Sequence, residues 1–404
     1  MARHRDQFGR SQLAIAALFC FLGFQYGTWV SRVPALKTRL DLSEAQVGLL
    51  LLATGVGAAV SFPVVARLMK RLGSRHLAGV SALVLLLVLA ALPAAPNYAT
   101  ALVVLFCDGV AVACLNVAMN AQGAALEARY RRNTMAKLHA VFSAGTFSAA
   151  LLASGVASLT PVLTAHFATA AVLLTVMLGV AWTGPVTEYQ PNQEQPAEKN
   201  ARRRWSVPSP VTVWLSAAMV FGTVTEGAMN DWSALYLRDV AQAAEKLTPL
   251  GIALVSAAMV LARLFADGWR ARWGDAPVLI SGAVVAGGGL AVAVLAGGVG
   301  PALVGFACVG LGMAAVTPCL YVAAAREGSD ALTLVAAMGT TGLLAGPPVI
   351  GFIADRTSLA WGMGAVAASA LLVAACVGRF RRALHEVPVA PAERELEIAA
   401  AFPH

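Results

Sequence analysis

Polar side chains interrupt a strongly apolar stretch of the sequence that runs from Asp108 to Thr146. At 100° per residue, Asn116 and Asn120 lie on one arc of a predicted helix. After a short basic turn, His139 and Thr146 repeat this pattern on the next predicted helix. Polar groups at bilayer depth are rare and mark pathways for solutes or ions. If these helices cross a membrane, we expect this stretch to contact a polar solute or ion.

Two acids fall within apolar segments, Asp108 in this stretch and Glu226 in the second half of the chain. A carboxylate at the centre of a bilayer costs about 2.5–3.5 kcal/mol on insertion scales. Burial disfavours its charged form, so such a group can exchange a proton near neutral pH. His139 also titrates in that range. We expect Glu226 first, then Asp108 and His139, to couple transport to protons; the alternative is a neutral or hydrogen-bonded structural role.

Amide and aromatic side chains near the same depth are candidates for binding a solute. Amides suit a polyhydroxylated ligand better than a charged drug, and an aromatic ring can stack on a sugar face. Trp29 has an alternative role in the interfacial aromatic belt, and Asp231 is expected at the outer surface. The seven candidates are Gln25, Tyr26, Trp29, Asn116, Asn120, Asn230 and Trp232.

The composition identifies an all-α integral membrane protein. Of 404 residues, 58% are hydrophobic and 12% are charged, whereas soluble domains carry about 25% charged residues. Apolar segments of roughly twenty residues, the length that crosses a bilayer, recur along the chain. We predict twelve spans: 11–31, 44–66, 77–93, 98–124, 137–159, 162–182, 210–229, 248–267, 277–298, 301–325, 331–354 and 358–378.

The net charge of +8 is explained by membrane topology and gives no reason to expect nucleic acid as a partner. With the N-terminus inside, six of the 29 Lys and Arg residues fall in outer loops: Arg32, Lys37, Arg39, Arg238, Lys246 and Arg356. The others lie on the cytoplasmic side, as the positive-inside rule requires. We therefore expect a multi-pass protein of a bacterial cytoplasmic membrane with both termini cytoplasmic.

A weak internal repeat divides the chain into two halves. Basic turns containing Gly73 and Gly274 lie 201 residues apart, close to half the chain length. Such repeats are typical of secondary transporters. The predicted organisation is a six-helix bundle at 1–182, a cytoplasmic linker at 183–209, a second six-helix bundle at 210–378 and a cytoplasmic tail at 379–404.

Several residues are candidates for gating. Arg71 and Arg75 lie in the basic turn after span two, and Arg263 with Asp267 could form a charged latch at the corresponding place in the second half. Small residues allow close helix contact and proline bends helices. We therefore expect Gly346 and Pro347 to belong to a flexing or packing element in span eleven.

Sequence motifs give no reason to expect an enzyme. The sequence has no G-x-x-x-x-G-K-[ST], H-E-x-x-H or G-x-S-x-G pattern, which would have indicated phosphate binding, zinc or a nucleophilic serine. We predict no cofactor, no metal and a monomer whose partners are a small-molecule substrate, the proton and the lipid bilayer.

Four short segments resemble a known family. They are 116–122, 139–145, 226–233 and 346–348, and with the two six-span halves they resemble the major facilitator superfamily. Within it they are similar to the MosC-like and YbjJ-like branch, which is related to fucose permease. The resemblance covers essentially the whole chain and implies the major facilitator fold, two pseudo-symmetric six-helix bundles around a central cavity.

The chain departs from the superfamily at two places. The superfamily's loop pattern is G-x-x-x-D-R-x-G-R-K. When the pattern is aligned on Gly73, this chain has Ala66 at the position of the first glycine and Lys70 at the position of the acid. The branch usually has an acid where Asn116 stands, so a proton role is not carried over to that position.

Our hypothesis is a secondary transporter that moves a sugar-like or polyol-like solute by alternating access, driven by protons in symport. The first alternative is a proton-driven efflux antiporter for a drug or metabolite. The second is a membrane receptor that does not transport.

Overall fold

The computed structural model describes residues 2–130, 134–160, 162–184 and 208–385, and in these ranges the chain forms helices joined by short turns. Most of the predicted linker 183–209 and tail 379–404 lies outside the described residues. The helices are α1 Ala2–Val30, α2 Val33–Leu40, α3 Glu44–Ala91, α4 Tyr98–Tyr130, α5 Met135–Leu159, α6 Leu163–Thr183, α7 Pro210–Asp239, α8 Leu250–Trp273, α9 Asp275–Ala296, α10 Val299–Met313, α11 Val316–Glu327, α12 Ser329–Arg356 and α13 Leu359–His385. The predicted all-α class is confirmed.

Eleven described segments are long and apolar enough to span a membrane. One of them, Glu44–Ala94, has 51 residues, which at 1.5 Å per residue is roughly 75 Å, more than twice a hydrocarbon core of about 30 Å. Its helix α3 is interrupted at Gly73, so the segment crosses twice. Helices α10 and α11 together make one span, Val299–Glu327. The predicted twelve crossings are therefore confirmed.

The two basic turns share an unusual backbone conformation. Gly73 has φ 72° and ψ 169°, and Gly274, between α8 and α9, has φ 84° and ψ 163°. Positive φ is accessible to glycine because it has no Cβ. The weak sequence repeat thus corresponds to a repeated turn, with the same residue type used for the same physical reason.

Helix packing repeats in the same way. In the first half α1 packs against α5 and α6, and in the second half α7 packs against α12 and α13. The pairs α3 with α4 and α9 with α10 also correspond. This confirms two related six-helix bundles.

The bundles meet along α3 with α12 and along α5 with α8. Glycines bring the first pair into backbone contact: a Cβ on Gly48 would lie 2.9 Å from the carbonyl oxygen of Pro347, and one on Gly351 would lie 2.7 Å from that of Glu44. Helix α12 is continuous through Pro347 and Pro348. The element that contains Gly346 and Pro347 therefore lies where the two bundles touch.

Two faces of the molecule can be distinguished. Helix α2 and the short turn Glu245–Leu247 lie at the end of the bundle where α1 and α7 end; we call it the α2 face. Helices α1, α5 and α7 begin at the opposite face. The predicted topology makes the α2 face the outer one.

Candidate functional site

A cavity of about 210 Å³ lies between the two bundles. Helices α1, α5, α7 and α8 each contribute to its wall. It opens toward the face at which α5 begins, because His139 is exposed there and the Arg263 side chain is 39% exposed. The lining residues are Tyr26, His139, Phe142, Ser143, Thr146, Glu226, Asn230, Val255, Ser256, Met259 and Arg263.

Close packing of α1 on α5 positions one wall of this cavity. A Cβ on Gly23 would overlap the carbonyl oxygen of Phe142, and one on Gly145 would lie 2.5 Å from that of Cys20. The Thr146 hydroxyl donates a hydrogen bond to the Gly23 carbonyl at 3.1 Å. Small residues permit such backbone approach between membrane helices. The glycines therefore set how α5 presents its polar side chains to the cavity.

Glu226 is the carboxyl group in the cavity wall. Its Oε1 lies 3.7 Å from Nη2 of Arg263, and the Glu226 side chain is 26% exposed. The Thr317 hydroxyl lies 3.5 Å from Oε2. Charge-assisted N–H···O hydrogen bonds are usually about 2.7–2.9 Å long. Glu226 is thus near a cation and a hydroxyl, but neither contact is tight.

Asp231 is buried, so the prediction that it lies at the outer surface is wrong. It is 8% exposed, and its Oδ1 accepts a hydrogen bond of 2.8 Å from the Tyr26 hydroxyl. This bond joins α1 of the first bundle to α7 of the second. Position in the sequence suggested a helix end, but α7 continues to Asp239, and Asp231 lies two turns before that end.

Asp108 lies outside the lining of the cavity. It is fully buried, and its Oδ1 accepts a hydrogen bond of 2.7 Å from the Gln25 side chain. Both residues belong to the first bundle, on α4 and α1. Their contact pairs one oxygen of Asp108 with the Gln25 amide group, whereas Oδ2 of Asp108 and Oε1 of Gln25 are buried without a hydrogen-bond partner among the described residues.

Four further predicted solute contacts are not in the cavity wall. Trp29 and Trp232 are buried in the core, at 3% and 0% exposure. Asn120 donates hydrogen bonds of 2.8 Å to the Asn116 side chain and carbonyl on α4. Of the seven predicted contacts, only Tyr26 and Asn230 line this cavity.

The predicted gating residues lie in different parts of the structure. Arg71 is exposed, whereas Arg75 donates a 2.8 Å hydrogen bond to the Trp182 carbonyl and lies over its ring, which joins α3 to α6 within one bundle. The Asp267 side chain lies outside the described residues. Arg263 faces Glu226 in the cavity.

On the α2 face, Lys37 joins the two bundles. Its Nζ lies 2.6 Å from Oε1 of Glu44 in the first bundle and 2.8 Å from Oδ2 of Asp239 in the second. Burial lowers the pKa of Lys37, but the hydrogen bonds to Asp239 and Glu44 outweigh it and the pKa is raised overall. The ammonium group therefore stays charged throughout the neutral range.

Two arginines make further contacts between the bundles on the same face. Arg238 of α7 donates to the Thr38 hydroxyl at 2.6 Å and to the Pro34 carbonyl. Arg32 and Glu245 form an ion pair of 3.1 Å. Each contact crosses between the bundles. The α2 face is thus closed by charges, and the cavity opens on the other side.

We expect Lys37→Met to shift the population toward states with the α2 face open, because it leaves the Glu44 carboxylate without a cation and leaves Asp239 paired only with Arg238 of its own bundle. A partly buried network of this kind is worth about 1–2 kcal/mol, a shift of roughly five- to thirtyfold in the conformational equilibrium. Spin labels at Ala99 and Ala296, both exposed and near this face, would report the longer distance in electron paramagnetic resonance.

Arg39→Met is the matched control for Lys37→Met. Arg39 lies on the same helix and donates to the carbonyl groups of Leu92 and Ala95 within the first bundle. The variant Arg39→Met also removes one positive charge from α2, but it removes no contact with the second bundle. Equal distance distributions for both variants and the wild type would contradict a locking role for Lys37.

Sequence reasoning named Arg263 as a gating residue but missed that α8 forms part of the cavity wall. Ser256, Met259 and Arg263 recur at intervals of three and four residues and line the cavity together, so helical periodicity carried a signal for this face. The pairing of Lys37 with Asp239 had no comparable signal, because the two residues are 202 positions apart.

Comparison with known proteins agrees with this architecture. A protein named uncharacterized transporter y4wD from Sinorhizobium fredii is 32% identical over 357 residues, covering 85% of this chain and 91% of that protein. The membrane protein MosC from Rhizobium meliloti is 28% identical over 369 residues, covering 89% and 88%. Among solved structures, a D-xylose–proton symporter superposes with a TM-score of 0.72 at 14% identity, covering 93% and 98%.

The sequence also matches the profile of one protein family. Residues 13–328 match the profile of the Major Facilitator Superfamily, and the relatives are transporters. The predicted resemblance, including its similarity to MosC, is confirmed, as is the prediction that the protein is not an enzyme. The chain is a membrane transporter that belongs to the Major Facilitator Superfamily.

Proposed function

We propose that this transporter couples the movement of a small polar solute to the movement of protons. The observation that carries the proposal is Glu226, a carboxyl group in the wall of the cavity between the two bundles. A half-buried acid beside a loosely held arginine can change its protonation state without dismantling the helix packing. Hydroxyl and amide groups in the same wall, such as Ser256 and Asn230, suit a sugar-like or polyol-like solute.

Glu226 is our first candidate for the proton site because solute and proton can both reach it. His139 lies at the open end of the cavity and is suited to pass protons to it. Asp108 is the next candidate, and its burial against Gln25 gives it less access to a solute.

We infer that the protein acts as a monomer in a bacterial cytoplasmic membrane with both termini cytoplasmic. The excess of Lys and Arg in the predicted cytoplasmic segments supports this orientation. In it, the α2 face is outside and the present conformation is open to the cytoplasm. Rocking of the bundles would break the Lys37 contacts and close the other side.

Uptake by purified protein in proteoliposomes tests the proposal. With the vesicle exterior one pH unit more acidic, a solute that enters with one proton accumulates about tenfold, since one pH unit corresponds to 1.36 kcal/mol. Collapse of the gradient with a protonophore should reduce accumulation to equilibrium. Solute that moves opposite to the protons would instead indicate an efflux antiporter, and binding without movement would indicate a receptor.

A further inference from the structure

The cavity contains a guanidinium group whose partners are distant. Arg263 lies 3.7 Å from the nearest Glu226 oxygen, and its Nε lies 3.5 Å from the Ala314 carbonyl oxygen. A guanidinium has five N–H donors in a planar fork that matches a carboxylate. Among the residues that the structure describes, these are the polar contacts of Arg263, and both are long. Most of its donor capacity is therefore directed to the cavity.

The charge balance of the cavity depends on Glu226. The groups that face Glu226 from neighbouring helices are Arg263 on α8, Thr317 on α11, Tyr26 on α1 and His139 on α5. While Glu226 is ionised it balances the charge of Arg263. Once Glu226 takes up a proton, Arg263 faces the cavity without a counter-ion, and its planar donors are available to an anionic group that enters the cavity.

The remaining wall suits hydroxyl groups and a short carbon chain. Ser143, Thr146 and Ser256 offer hydroxyl oxygens, while Phe142 and Met259 are apolar. The volume of about 210 Å³ is far larger than the roughly 10–15 Å³ that a single water molecule needs. This is the size class of a small metabolite.

We propose that the transported solute is a hydroxylated monocarboxylate, a sugar acid, whose carboxylate binds Arg263 in place of Glu226 when Glu226 is protonated. The inference rests on the proposed function and narrows its solute class. The proton from solution bonds to a Glu226 oxygen, and the solute carboxylate takes over the ion pair. One proton and one anion then cross together, so the step moves no net charge.

Uptake of radiolabelled D-gluconate, D-galactonate and D-glucuronate into proteoliposomes tests the inference, with D-glucitol as the neutral probe of equal carbon number. We expect at least one acid to accumulate about tenfold for a gradient of one pH unit, and D-glucitol to remain at equilibrium. A membrane potential set with potassium and valinomycin should leave the accumulation unchanged, because no net charge moves.

Variants of Arg263 separate recognition from folding. Arg263→Gln should weaken acid binding by about tenfold or more, since a hydrogen bond to a charged group contributes about 1.5–3 kcal/mol, and Arg263→Lys should restore part of it. Arg270→Gln is the matched control: Arg270 is on the same helix but pairs with Asp275 at 2.7 Å, outside the cavity. Thermal unfolding of each variant checks the fold.

The outcomes distinguish this inference from the proposed function. Proton-driven accumulation of D-glucitol that Arg263→Gln leaves intact would overturn the carboxylate inference and support the proposed function. Acid uptake that responds to membrane potential alone would count against both. Failure of all three acids to bind or accumulate would overturn the inference.

Discussion

Glu226→Gln will abolish proton-driven accumulation while leaving solute exchange across the membrane. Glutamine has nearly the shape of glutamate, and its carbonyl oxygen can take the place of the carboxylate oxygen that lies 3.7 Å from Arg263, but it cannot take up or release a proton. With a gradient of one pH unit, accumulation should fall from about tenfold to about onefold. Exchange should persist because the variant resembles the protonated state, in which the loaded carrier changes conformation.

The measurement compares two assays on the same proteoliposomes. Uptake driven by a pH gradient reports coupling, and counterflow, in which internal solute exchanges with external label, reports the conformational change alone. Asp108→Asn is the matched comparison, because it removes a fully buried acid that is hydrogen-bonded to Gln25 outside the cavity wall. If Asp108→Asn loses accumulation and Glu226→Gln keeps it, the proton site is Asp108.

Gly109→Ala will destabilise the first bundle despite adding a single methyl group. A Cβ on Gly109 would overlap the Thr54 carbonyl oxygen and lie 2.9 Å from the Ala58 amide nitrogen. These are backbone atoms of α3, so α3 and α4 would have to separate. Overpacking typically costs about 1–3 kcal/mol and sometimes more, and here it opposes the gain of about 1 kcal/mol that alanine brings to a helix.

Thermal unfolding in detergent, followed by size-exclusion fluorescence, measures this cost. Gly179→Ala is the control, since Gly179 lies within α6 and a Cβ there would meet no atom within 4 Å. We expect a lower melting temperature for Gly109→Ala and an unchanged or higher one for Gly179→Ala. Equal melting temperatures for Gly109→Ala and the wild type would show that the contact of α3 with α4 can relax.

Much of the fold was predictable because it depends on local properties of the chain. Apolar segments long enough to cross a bilayer can only be helices here, since every backbone N–H and C=O must be satisfied within the segment. The repeat of Gly73 and Gly274 marked equivalent turns because positive φ favours glycine at both. The segments 44–66 and 77–93, predicted as separate, correspond to the two arms of α3 on either side of Gly73.

The candidate site was predictable only in part. Glu226 and Asn230 are four residues apart on α7, so periodicity alone placed them on one face, and both line the cavity. Trp29 and Trp232 satisfied the same chemical criteria but are buried in the core. Hydrophobic composition cannot separate these cases, because a membrane helix has apolar residues on the sides that face lipid and on the sides that face other helices.

Composition, residue spacing and the family resemblance predicted a membrane transporter with twelve crossings in two related halves and with acids at bilayer depth. The structure adds which acid faces the cavity, that Asp231 binds Tyr26, and that Lys37 reaches Asp239 across the bundles. These contacts could not be predicted because they depend on the rotation of each helix about its axis. Rotation is set by close packing between helices that are far apart in the sequence, as at Gly23 with Phe142 and at Gly48 with Pro347, which lie 299 residues apart.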